Sequence, residues 1–201
     1  MFSLRKLAAY RNASVPSSSP ACLAGRTALL SFPVDVPLVS DLAIREYEPA
    51  DADAVWNLHE RALRDAGAFD EEFTHLDDDL RAITDEYLHS DGAFLVGERD
   101  GRLVAMGAVQ PSDAVDHHHS DPNTGVLRRM RFDPAHQRRG YGSQILTALE
   151  RRARELGFDR LVLDTTPRQT AAIALYESFD YAEQRRESTP AGEQIIYAKP
   201  L

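Results

Sequence analysis

The stretch RFDPAHQRRGYGSQIL, Arg131 to Leu146, sets two glycines and three arginines between a strand-like run and an apolar helical stripe. Upstream, VLRRMRF reads as a strand that must stop at Pro134, which has no N–H to give to a ladder. Downstream, Ile145, Leu149, Ala153 and Leu156 recur at helical spacing. Between them, Gly140 and Gly142 permit a tight turn and a close approach. A helix that begins here leaves its first N–H groups without acceptors, and its dipole adds attraction for an anion. Gln137, Arg138 and Arg139 add side-chain donors, so a pyrophosphate suits the whole set.

Two familiar phosphate motifs are excluded, and a third explanation is weak. An ATP-type loop needs GxxxxGK[ST], yet lysine occurs only at Lys6 and Lys199. The dinucleotide fingerprint GxGxxG lacks its third glycine, where Ile145 stands, and the strand ends too early for it. A plain strand-to-helix turn requires neither the glycine pair nor the polar donors.

Working outward, LAIREY alternates as a strand, and EPADAD leads into a helix with Val55, Leu58 and Ala62 on one face. A second, acidic helix is expected from Leu76 to Leu88, with Asp77, Asp78 and Asp79 as its solvated start. GAFLVGERDGRLVAMGAVQ reads as two strands turning at Asp100-Gly101. The loop PSDAVDHHHSDPNTG carries His117, His118 and His119, but no second cluster supplies further ligands, so no metal site is expected. RLVLDT reads as a short buried strand, TPRQTAAIALYESF as a helix capped by its Thr-Pro, and YAEQRRE and EQIIYAK as the last strands. The order βααβββαβαββ defines a mixed α/β class with a largely antiparallel sheet.

The chain has 201 residues, enough for one ordinary domain that buries roughly 70% of its unfolded surface. Cys22 is the single cysteine, so no intrachain disulfide is possible, and a reducing, cytoplasmic setting is expected. No apolar run approaches the roughly 20 residues that a membrane span needs. Net charge is −9, but residues 1–34 hold four bases and no acid. The remainder carries 32 acids against 19 bases, which disfavours nucleic acid as a partner. Residues 1–40, rich in Ser and Pro, read as a disordered extension whose composition also resembles a transit peptide. The single domain is placed at 41–201.

QRRGYG matches the Q/R-x-x-G-x-G/A signature of the GNAT superfamily of N-acetyltransferases. LRRMRFDP resembles that superfamily's fourth strand, and TAAIALYESFDY resembles its A-x-x-L-Y-x-x-x-G-F helix. The resemblance runs from Asp41 to Leu201. It implies the GNAT acyl-CoA N-acyltransferase fold, a sheet splayed between strands 4 and 5 and flanked by about four helices. Acetyl-CoA would enter the splay as co-substrate, without a metal. Its pyrophosphate would rest on the main chain of Arg138, Arg139, Gly140, Tyr141, Gly142 and Ser143, beside Gln137. Its pantetheine arm would pair with Met130, Arg131 and Phe132, where a main-chain N–H would hold the thioester carbonyl. Tyr176 matches the tyrosine that serves the leaving thiolate as acid.

The acceptor so implied is an amine of a small molecule or peptide, and Asp70, Glu71 and Glu72 hint that it is cationic. No general base is assignable among Asp133, His136, Glu98 and the histidine loop. Transfer of a different acyl group, or acyl-CoA sensing without turnover, are the alternatives. A homodimer is left open. Asp180-Tyr181 replaces the usual Gly-Phe, so Asp180 is expected to take the left-handed helix exit.

Overall fold

A computed structural model describes residues 41–69, 71–114, 121, 123–189 and 192–201, with the backbone alone over 72–76. The expected extension over 1–40 and the three histidines lie outside the described residues. The strands are β1 (Ala43–Glu46), β2 (Ala93–Arg99), β3 (Arg102–Pro111), β4 (Thr124–Phe132), β5 (Arg160–Thr165), β6 (Ala182–Thr189) and β7 (Gly192–Pro200). The α-helices are α1 (Ala52–Asp65), α2 (Tyr141–Glu155) and α3 (Thr170–Ser178). The strands form one mixed sheet in the order β1-β2-β3-β4-β5-β7-β6, antiparallel everywhere except between β4 and β5.

Both faces of the sheet are covered, which fits the apolar runs in β2, β3 and β5. On one face α2 buries Ile145, Leu146 and Leu149 among Leu95, Val109, Leu127 and Leu161, with α3 joining through Tyr176. On the other face α1 brings Val55 and Leu58, and the segment after it brings Leu80, Ile83 and Tyr87, against Phe94, Val96 and Met106. Each such side chain contributes roughly 1.5–3 kcal/mol when fully buried.

The expected turn at Asp100-Gly101 forms, with φ of 50° and 73° at the two positions. Asp180 likewise takes the left-handed exit after α3, at φ 64°. Two expectations fail. The segment expected as an α-helix from Leu76 to Leu88 is a 3-10 stretch, Glu71–Arg81, broken at Asp77, followed by a π turn, Thr84–Leu88. Three successive aspartates are weak helix formers, and two of them turn inward to partners described below. The Thr166-Pro167 pair does not cap α3. It lies in a preceding turn in which the Gln169 N–H donates to Thr166 O at 2.9 Å, and the helix opens at Thr170.

Two features of β4 position the site. Its parallel pairing with β5 covers only Thr124–Val126 against Arg160–Val162, after which the strands part. β4 also bulges. Met106 faces Arg131 and Ala108 faces Arg128, so Gly107 alone opposes both Arg129 and Met130. Arg129 takes φ 55° there. Gly107 leaves the space that Met130 fills, since an added Cβ would stand 2.6 Å from Met130 Sδ.

Candidate active site

β4 leads into a loop built to start a helix. Asp133 ends the strand, and its Oδ1 accepts the Ala135 N–H at 3.0 Å, capping the short turn Pro134–His136. Arg61 of α1 grips the other oxygen from Nε at 3.1 Å and Nη2 at 3.0 Å. Arg138 and Gly140 then take left-handed backbone, at φ 59° and 78°, and swing the chain into α2. Within the helix, Gln144 is the first residue whose N–H reaches a carbonyl, that of Gly140 at 3.1 Å. The N–H groups of Tyr141, Gly142 and Ser143 belong to the first turn and have no acceptor inside the helix. Gln137, Arg138, Arg139 and Gly140 are all exposed around them.

Tyr141 departs from its neighbours. Its side chain is buried in the core, where its hydroxyl accepts from Arg99 Nη1 and donates to Asp41 Oδ1, each at 2.9 Å. Only its main-chain N–H remains on the loop side. Gly142 marks a close approach: an added Cβ would lie 3.0 Å from Leu175 Cδ2 and 3.8 Å from Phe132 Cζ. The start of α2, the free half of β4 and the middle of α3 therefore meet at one place.

Tyr176 follows Leu175 on α3 and is 7% exposed. Burial pushes its phenol up to about 12, with the Arg131 cation opposing and Asp164 of β5 reinforcing the shift. Those charges belong to the two strands that part, so Tyr176 borders the opening between them. The strand edge that faces this opening follows from geometry. The Asp133 N–H bonds to Val104 O at 2.8 Å, and successive residues of a strand direct their N–H groups to alternate sides. Phe132 and Met130 therefore turn theirs away from β3. Arg131 directs its own N–H to β3, while its Nη1 donates to Met130 O at 2.9 Å.

The α1 face of β4 holds a charge cluster that the sequence did not announce. Asp77 and Asp79, expected in solvent, both bind the buried Arg129 guanidinium; only Asp78 is exposed. Arg129 Nε donates to Asp79 Oδ2 at 2.8 Å and Nη1 to Asp77 Oδ1 at 2.5 Å, while Nη2 reaches Asp79 Oδ1. Tyr87 donates its hydroxyl to Asp79 Oδ2 at 2.5 Å. His59 of α1 is 1% exposed, with Nε2 3.1 Å from Asp77 Oδ2 and Nδ1 without a hydrogen-bond partner among the described residues. Burial lowers the pKa of His59, with the hydrogen bond to Asp77 opposing the shift. Local pattern could not reveal this cluster, because its acids lie about 50 residues from their arginine.

Burial alone would raise both carboxyl pKa values, but His59 and Arg129 beside Asp77, and Arg129 beside Asp79, hold them below 3.8. An unfolded carboxyl takes its proton near 3.8 and the folded ones only at lower pH. The pair's contribution to stability is thus complete above that value and drains away as pH falls below it. Asp77→Asn is expected to cost about 2 kcal/mol at pH 7. In urea unfolding at pH 7, 4 and 3, the gap to the unmodified chain should narrow at the lowest pH.

Each of the other groups considered as a base lies beside an opposite or titratable charge. Asp133 is ion-paired to Arg61 with its pKa lowered, since the Ala135 N–H and Arg61 outweigh burial. His136 sits 3.6 Å from Asp133 Oδ1, and Glu98 faces Arg45 at 3.5 Å. Asp70 lies outside the described residues. Among the described residues no helix is long and apolar enough to cross a membrane.

The model of the acetyltransferase (GNAT) family matches residues 52–181, and the chain belongs to that family. A mycothiol acetyltransferase of Sanguibacter keddieii is 30% identical over 169 residues, covering 81% of this chain and 46% of its own length. The chain spans less than two thirds of the curated relatives it matches. In fold it is similar to an acetyltransferase of Streptococcus agalactiae, with TM-score 0.66 and 22% identity over 81% of this chain and 99% of the other. A PaiA N-acetyltransferase of Thermoplasma acidophilum, solved in complex with coenzyme A, gives TM-score 0.62 at 17% identity, covering 80% of this chain and 99% of its own.

Proposed function

We propose that the chain transfers an acetyl group from acetyl-CoA to a primary amine of a small molecule or peptide, by direct attack in a ternary complex. The observation that carries this reading is the convergence of three groups on one opening. They are the open N–H groups at the start of α2, the outward N–H edge of Met130 and Phe132, and Tyr176. The pyrophosphate would rest on the main chain from Arg138 to Ser143, with Gln137 as a hydrogen-bond donor and Arg138 and Arg139 offsetting its charge. The pantetheine arm would add to the free half of β4 as an extra strand between β4 and β5. The crystallised N-acetyltransferase with coenzyme A supports the choice of cofactor.

The amine must reach the opening as its free base, because an alkyl ammonium of pKa about 10 has no lone pair to offer. Its nitrogen attacks the thioester carbon, the C–S bond breaks, the acylated nitrogen gives its extra proton to water, and the sulfur leaves as a thiolate that takes a proton from water. Tyr176 donates to the departing sulfur. A phenol pushed up to about 12 is fully protonated at neutral pH and ready for that role. Its proton is held too tightly to pass wholly to a thiolate of pKa about 8–9. Its main contribution is a hydrogen bond that grows as charge builds on sulfur.

A panel of primary amines offered with acetyl-CoA, followed by release of free thiol, tests the reading. Turnover on at least one amine is expected. Calorimetric binding of acetyl-CoA without turnover on any amine would favour an acyl-CoA sensor, and absence of binding would overturn the assignment.

A further inference from the structure

We propose that Asp79, with Asp77, acts through Arg129 to hold the β4 bulge, so that the Met130 N–H points into the opening and receives the thioester carbonyl. This rests on the reading of the chain as an acetyl-CoA enzyme whose β4 main chain holds the thioester carbonyl, and goes beyond it by naming the side chains that keep that N–H in place.

A bulge puts two residues opposite one and disturbs the alternation of side chains. Arg128 and Arg129 accordingly both project to the α1 face. Arg128 Nη1 donates to Gln110 Oε1 at 2.7 Å, and Gln110 Nε2 in turn donates to Glu86 O at 2.5 Å. Arg129 is forked by Asp79 and Asp77. Met130 projects to the opposite face and lies over Gly107. The bulge is thus pinned from both sides of the sheet. Arg129 itself adopts φ 55°, left-handed backbone that a non-glycine residue holds only when its surroundings compensate. The compensation is its guanidinium, 8% exposed and fixed between two carboxylates.

Register makes this clamp matter for chemistry. A strand that slips by one residue reverses the side to which each N–H points. If the bulge relaxed, the segment that now pairs in phase at Arg131 and Phe132 would lose its present phase, and Met130 would turn its N–H toward β3. The 3-10 stretch Glu71–Arg81, whose acids make the clamp, then serves as a brace for a donor on a different element. Asp79, Asp77 and Arg129 are positioning residues; none of them touches the thioester.

The test compares two ligands that differ in one group: acetyl-CoA, and S-ethyl-CoA, in which a methylene replaces the carbonyl. Dissociation constants are measured by calorimetry for the unmodified chain, Asp79→Asn and Arg129→Lys, each first shown to unfold cooperatively. The unmodified chain should prefer acetyl-CoA by about five- to tenfold, the worth of one hydrogen bond. Asp79→Asn should reduce that preference to about twofold or less while leaving the affinity for S-ethyl-CoA unchanged. Arg129→Lys keeps the charge but loses the fork, so it should fall between them. A general structural loss would weaken both ligands alike, and such a result would overturn the proposal. So would a folded Asp79→Asn with its full preference, or an unmodified chain with none. Should Asp79→Asn fail to fold, Arg129→Lys decides by the same criterion. Failure of the unmodified chain to bind either ligand would overturn the acetyl-CoA reading itself.

Discussion

Replacing Tyr176 by Phe is expected to lower kcat by about 100-fold while KM for acetyl-CoA stays within about twofold. The split follows from where the hydroxyl acts. In the ground state the thioester sulfur carries little charge and accepts a weak hydrogen bond. As the C–S bond breaks, the charge on sulfur grows and the phenol's bond strengthens with it. The substitution removes only that oxygen. The ring remains in its place on α3, where it packs edge-on to Tyr181 at 5.8 Å between centroids. A phenol pushed up to about 12 also predicts the shape of the pH profile. Any loss of rate between pH 8 and 10 must arise from another group, so it should persist in the Phe variant. Steady-state thiol release across that range measures both. An unchanged kcat would remove Tyr176 from the chemistry.

The second large effect is expected from Gly142→Asp, which should weaken coenzyme A binding by on the order of 100-fold. An aspartate in the first turn of α2 would place its carboxylate among the N–H groups assigned to the pyrophosphate. It would accept from those N–H groups itself and repel the diphosphate. The helix alone would gain roughly 0.3–1 kcal/mol from an acid at its positive end. Against this stands crowding of the Leu175 Cδ2 tip, 3.0 Å from the new Cβ. Thermal stability should therefore change little while affinity collapses. Calorimetry and a melting curve on the same sample separate the two. Equal affinity in both chains would mean that the anion sits elsewhere.

The legible parts of this molecule were those whose causes are local. Gly140 announced the start of α2, and Pro134 fixed the end of β4. Asp100-Gly101 announced its hairpin because that dipeptide tolerates the left-handed backbone the turn requires. The aspartates 77–79 misled for the opposite reason. A run of acids ordinarily belongs in water, and nothing nearby in sequence indicates that Arg129 waits for them across the fold. The bulge was hidden as well, since VLRRMRF carries no residue that demands one. Tyr141 shows a finer limit. Its main chain opens α2 as the loop motif requires, but its side chain answers to Arg99 at the end of β2 and to Asp41 just before β1.

The brief contact between β4 and β5 has a consequence for how the molecule holds together. Three residue pairs are all the ladder that joins the β1–β4 half of the sheet to the β5–β7–β6 half. Every other neighbouring pair of strands is more extensively matched. The sheet therefore has a seam, and a seam is where partial opening is easiest and where stability departs most from the average. A cofactor arm lying in it would complete the missing ladder and stitch the halves together. The element that makes the chain receptive to its cofactor would then also make it most dependent on that cofactor for rigidity.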